Sequence, residues 1–186
     1  MTWGPMRRVR FGCLRVTMDF LPGMVTQKKG YMVNISFIGV LTNAPRFSAY
    51  VASKAALDAW TRCASSEFAD QGISFTTINM SLVRTPMIAP TGLYNNVPTL
   101  SPEEAADMIA QACIFKPVRI ATRLGMTGQI LHAILPRVAQ IAMNTSFRMF
   151  ADSGAAKGAK PGDKPPKQQL SPEAIAMQQM MRGIHF

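Results

Sequence analysis

Two short apolar runs and several helical stripes divide the chain. Tyr31–Ser36 (YMVNIS) follows Gly30, is rich in apolar and β-branched residues, and predicts a buried strand. Ile73–Met80 (ISFTTINM) predicts a second. Gly39 to Pro45 reads as a loop, and from about Ser48 to Gln71 the pattern is helical. On that helix Ala55, Ala56, Ala59, Cys63 and Phe68 mark the expected buried side, and Asp58, Arg62, Glu67 and Asp70 the solvent side. Gly72 suits the position just past its end. Residues 88–100 are rich in turn formers and read as a loop. Ser101-Pro102-Glu103-Glu104 is a capping box with proline at the first helical position, and its helix should run to about Phe115. Lys116–Thr122 predicts a last strand. From Arg123 to Phe150 a wide apolar face includes Leu124, Met126, Ile130, Ile134, Val138 and Ile141, and Pro136 predicts a break between two helices. Residues 151–169 are rich in Gly, Pro, Ala and Lys, a composition that predicts disorder, and Ser171-Pro172-Glu173 opens a short Met-rich helix to about Arg182.

The pattern that carries chemistry is Tyr50 and Lys54. Four residues apart on a helix, they share one face. A nearby ammonium favours tyrosinate, which is expected to lower the tyrosine pKa and make Tyr50 a proton donor near working pH. Lys54 can also donate to a hydroxyl-rich ligand such as a ribose.

With the strand before it, this stretch resembles the catalytic segment of the short-chain dehydrogenase/reductase family. That family carries a strand ending in Asn-x-Ser-Ser, then Tyr-x-x-x-Lys on the following helix. The matching residues are Val33-Asn34-Ile35-Ser36 and Tyr50-Val51-Ala52-Ser53-Lys54. The resemblance implies an α/β fold, the C-terminal half of a Rossmann-like doubly wound parallel sheet with additional C-terminal helices. It implies hydride transfer with NADP or NAD to a carbonyl, Tyr50 donating the proton and Lys54 holding the ribose. Ser36 is the candidate for the carbonyl-polarising serine. In Ser81–Met87 the resemblance assigns Thr85 to the nicotinamide carboxamide, with the Val83 backbone nearby, and residues 88–100 to a lid over substrate. The helices at 13–28 and 48–71 match the family's usual dimer surface. The helices after residue 122 are similar to a subgroup, notably mycobacterial, that reduces long-chain acyl-CoA or fatty aldehydes.

Three departures qualify the expectation. The family's serine lies thirteen positions before the tyrosine, where this chain has Phe37. Ser36 is adjacent, but neighbouring strand residues point to opposite faces. The family's supporting asparagine corresponds to Val9. No glycine-rich turn follows a strand to receive a pyrophosphate. The expected organisation is a leader at 1–10 outside the native fold, a partial dinucleotide-binding domain at 11–122, a helical hairpin at 123–150 and a tail at 151–186. A severed, catalytically inactive piece, at most a dimerisation partner, is the rival reading.

Charge adds a third. The net charge is +10, with +5 in residues 1–30, −2 in 31–115 and +7 in 116–186. Basic ends around a slightly acidic centre argue against a nucleic-acid reader and allow attraction to an anionic membrane surface. Three scattered cysteines, Cys13, Cys63 and Cys113, show no metal spacing. They suit a reduced, cytoplasmic compartment, and Cys63 and Cys113 are expected to be buried. The basic start is interrupted by Arg15 and Asp19, which argues against a signal peptide.

Overall fold

The computed structural model describes residues 3–45, 47–86, 99–149, 172 and 176. Helix α1 (Trp3–Gln27) leads into strand β1 (Gly30–Phe37). A one-turn helix α2 (Gly39–Thr42) precedes α3 (Ser48–Glu67), a 3-10 turn (Ala69–Gln71) and β2 (Ile73–Met80). Then come α4 (Pro102–Phe115), β3 (Arg119–Ala121), α5 (Arg123–Ile134) and α6 (Pro136–Met149). The predicted leader coincides with the start of α1. The predicted lid largely, and the tail entirely but for Pro172 and Ala176, which are helical, lie outside the described residues.

The sheet has the order β1-β2-β3 and is parallel throughout. Gly30 pairs with Ile73 at one end and Phe37 with Met80 at the other. On one face Met32, Ile73 and Phe75 pack with Leu21 and Met24 of α1 and Trp60 and Ala64 of α3. On the other, Val33, Ile78 and Met80 meet Leu100 and Ala105, Met108 and Ala112 of α4. Both faces are covered, so the middle strand is buried at every position except Ser74 instead of alternating between buried and exposed. Tyr31 reaches across: its hydroxyl lies 2.7 Å from Thr76 Oγ1 and donates to the Ala112 carbonyl, tying β1 to α4.

Local signals explain most boundaries. Ser101 Oγ accepts from the Glu104 N–H at 3.1 Å, while Glu104 Oε2 accepts from the Ser101 N–H at 2.6 Å, completing the capping box. α5 is also capped, Thr122 Oγ1 accepting from the Gly125 N–H. Pro136 separates α5 from α6 as its missing donor requires. Gly72 has φ +71, and a Cβ there would sit 2.3 Å from the Lys28 carbonyl oxygen. Gly72→Ala should therefore cost about 2 kcal/mol or more, combining left-handed strain with a backbone clash. A urea midpoint that falls without a change in slope would show it; an unchanged midpoint would contradict it.

Several expectations need correction. Gly39–Pro45 is not all loop, because α2 forms there and ends at Asn43 in the left-handed region. The last strand is three residues instead of seven, since Lys116 adopts φ 50 to terminate α4 and consumes the run's start. The buried stripe of α3 is Ser53, Leu57, Asp58, Thr61 and Ala64, with Ala56 exposed. Helix propensity does not distinguish faces of an alanine-rich helix, and a carboxylate is normally assigned to solvent. Asp58 is instead 2% exposed, held by Arg62 of its own helix and by Arg119 Nη2 of β3 at 3.3 Å. Cys63 and Cys113 are exposed, so their small size reflects no burial.

Candidate active site

The strand end and the start of α3 build the candidate site. Strand alternation divides the end of β1 into two sides. Met32 and Asn34 face α1 and α3, and Val33 faces α4. Asn34 Nδ2 donates to Thr61 Oγ1 at 2.8 Å, and Thr61 in turn donates to the Leu57 carbonyl, fixing strand to helix. That register places Lys54 over the strand end, where its Nζ donates to the Ile35 carbonyl at 2.9 Å. The ammonium also lies 6.0 Å from the centroid of the Tyr50 ring, a cation–π distance. Tyr50 and Lys54 are thus brought together as the four-residue spacing requires.

Ser36 is not placed with them. It is 3% exposed, and its hydroxyl has no hydrogen-bond partner. Its register partner Asn79 is fully buried, and both amide atoms are equally unpaired. Each such atom costs about 1–3 kcal/mol. The one-residue shift that would let Ser36 serve does not occur, because every strand residue from Gly30 to Phe37 keeps its pairing to β2. The ring of Phe37 occupies the position beside the phenol instead. Its centroid is 5.4 Å from that of Tyr50, at an interplanar angle of 60°. The same ring fills the space over Gly39, where a Cβ would come within 2.2 Å of it.

The electrostatics follow from this packing. Burial pushes the Tyr50 phenol above its ordinary pKa, the reverse of the expected lowering. Desolvation of the anion outweighs an ammonium whose hydrogen bond goes to a backbone carbonyl. Burial likewise pulls Lys54 down, and Cys13 of α1 opposes that by favouring the cation. Neither the Phe37–Tyr50 contact nor the proximity of Cys13 had a local sequence signal; both depend on how the strand end meets two helices.

Beyond β2, Val83 forms a parallel bridge with Leu100. The Leu100 N–H donates to the Leu82 carbonyl at 2.7 Å, and the Arg84 N–H to the Leu100 carbonyl at 2.8 Å. Val83 and Thr85 therefore sit on a loop pinned at its base. A hollow of about 360 Å³ lies away from this site, between α3, β3 and α5, lined by Thr61, Arg62, Phe75, Thr77, Arg119 and Gln129. Neither Tyr50 nor Lys54 lines it, so it stands apart from the tyrosine–lysine chemistry. Among the described residues no cluster of His, Cys, Asp and Glu is arranged to hold a metal.

Comparison with known proteins agrees with this geometry. The family model described as "short chain dehydrogenase" matches residues 6–94. A fatty acyl-CoA reductase of Acinetobacter baylyi is 56% identical over 148 residues, 80% of this chain and 50% of that protein. An uncharacterized oxidoreductase of Mycobacterium tuberculosis is 39% identical over 175 residues, 94% of this chain and 51% of it. The chain thus spans about half the length of these relatives. A short chain dehydrogenase from Burkholderia cenocepacia, crystallised with NADP, superposes with a TM-score of 0.63 at 19% identity, over 74% of this chain and 56% of that one. A second, from Streptomyces avermitilis, gives 0.58 at 25% identity, over 79% and 64%. Strand, helix, tyrosine–lysine pair and relatives agree that the chain belongs to the short-chain dehydrogenase/reductase family.

Proposed function

We propose that the site supports NADP- or NAD-dependent reduction of a carbonyl on a long-chain acyl-CoA or fatty aldehyde. The observation that carries the reading is Lys54, anchored on the Ile35 carbonyl and poised over the Tyr50 ring. An ammonium has three N–H groups, and the strand takes one, so two remain for the hydroxyls of a ribose. The donor set therefore fits the nicotinamide-ribose end of a dinucleotide, with Thr85 and the Val83 backbone available to the carboxamide. A bound nicotinamide supplies hydride. Tyr50 supplies the proton to the carbonyl oxygen, and Lys54 keeps that phenol and the ribose in one place. The acyl substrate class rests on the name of the Acinetobacter relative and on the apolar helices that follow β3. Val16 and Phe20, four residues apart on α1, are both exposed, an apolar pair suited to a second copy on the α1 and α3 face.

Phe37 favours a second reading, in which cofactor binds but turnover is very slow. A phenyl ring offers no hydrogen bond to a carbonyl, and it packs against the ring of the proton donor. Fluorescence titration with NADPH and NADH tests the first reading. Saturable binding is expected, and Lys54→Ala should raise the dissociation constant roughly 10- to 100-fold, the effect of losing hydrogen bonds to a charged donor. No binding up to millimolar cofactor would remove both readings. Binding without NADPH oxidation on a long-chain acyl-CoA would select the second.

A further inference from the structure

The helices α5 and α6 present apolar surface that the fold does not use. α5 buries one side: Gly125 lies against Leu41 and Ile38, and Gly128 against Thr42 of α2. Its opposite side is also apolar, with Met126, Ile130 and Ile134 at a spacing of four, all exposed, Ile134 to 70%. α6 buries Ala139 and leaves Val138 and Ile141 exposed, Ile141 to 66%. Leu135 at the joint is half exposed. A helix apolar on both sides normally belongs in a core or against a partner.

Charge decides between partners. Residues 123–149 contain Arg123, Arg137, Arg148 and His132 and no acidic residue. Residues 116–186 carry +7. A second copy seated on this face would bring like charges together, whereas a surface of anionic headgroups would meet each arginine with an opposite charge. No helix among the described residues is long and apolar enough to cross a membrane. From the exposed isoleucines and the wholly basic charge of residues 123–149 we infer that the α5–α6 hairpin docks on an anionic lipid surface, lying in the interface with its arginines at headgroup level. This inference does not depend on the catalytic reading.

Co-sedimentation of the full chain with vesicles tests it. One set is phosphatidylcholine alone; the other contains about one-third phosphatidylglycerol. The chain should pellet with the anionic vesicles, more weakly in high salt and little with phosphatidylcholine. The triple variant Arg123→Gln, Arg137→Gln, Arg148→Gln should lower partition roughly fivefold per arginine. The variant Ile130→Glu, Ile134→Glu, Ile141→Glu changes exposed positions only. It should keep its circular dichroism and lose partition at least about tenfold. Partition that is absent, or unchanged in both variants, would overturn the inference. So would a concentration-dependent dimer that the isoleucine variant dissolves while vesicles bind nothing.

Discussion

On the proposed function, Phe37→Ser is expected to raise the rate of NADPH oxidation with a long-chain acyl-CoA about 100- to 1,000-fold, the usual effect of one hydrogen-bond donor aimed at a developing oxyanion. Two changes act together. Serine brings a hydroxyl to the position beside the Tyr50 ring, where the phenyl ring now packs edge-on with centroids 5.4 Å apart. Its smaller side chain also returns water to Tyr50. Burial holds the Tyr50 pKa up, so removing the burial lets it fall toward the ordinary phenol value. The sign has a visible consequence. The alkaline limb of the pH–rate profile, where the donor is lost as tyrosinate, should move to lower pH in the variant. Stopped-flow NADPH oxidation across alkaline pH would show both effects. A rate that rises without a shift of the limb would mean that the hydroxyl matters and the burial does not. No change in either would show that Phe37 is not what restrains the site.

Ile78→Ala is expected to cost about 2–5 kcal/mol and lower the melting temperature by roughly 5–20 °C. Ile78 is 0% exposed, in the middle strand, inside the cluster with Met80, Leu100, Ala105 and Ala112. It is paired to Ile35 on one side and Ile120 on the other, so no loop can collapse into the cavity that alanine would leave. Thermal unfolding followed by circular dichroism gives the number. A loss below about 1 kcal/mol would mean that this face of the sheet is already loosely packed.

The α/β architecture was legible because its signals are local and of the right period. The two apolar runs became β1 and β2 within a residue at each end. The capping box started α4 where Ser101 stood, and Pro136 divided the last two helices. The tyrosine–lysine pair was legible because helix geometry alone puts residues four apart together. What could not be read was set by packing between distant segments. Asp58 looked like a solvent residue until Arg119, sixty-one positions later, arrived to neutralise it. Ser36 and Phe37 could be weighed as alternatives from sequence, but only the unbroken pairing to β2 determines which one meets Tyr50. The direction of the Tyr50 shift also depended on how far the fold desolvates the phenol, a quantity no spacing encodes.

The pairing of the sheet has a kinetic side. Gly30 finds Ile73 forty-three residues along the chain, and Thr77 finds Arg119 forty-two residues further on. No hairpin exists to nucleate either ladder, so each must close a long loop before a single backbone bond forms between strands. Helices α3 and α4 can flicker into shape within about a microsecond, but the sheet waits on two entropically costly encounters. Folding should therefore be slow for a chain of this size, with helical signal appearing well before strand pairing is complete.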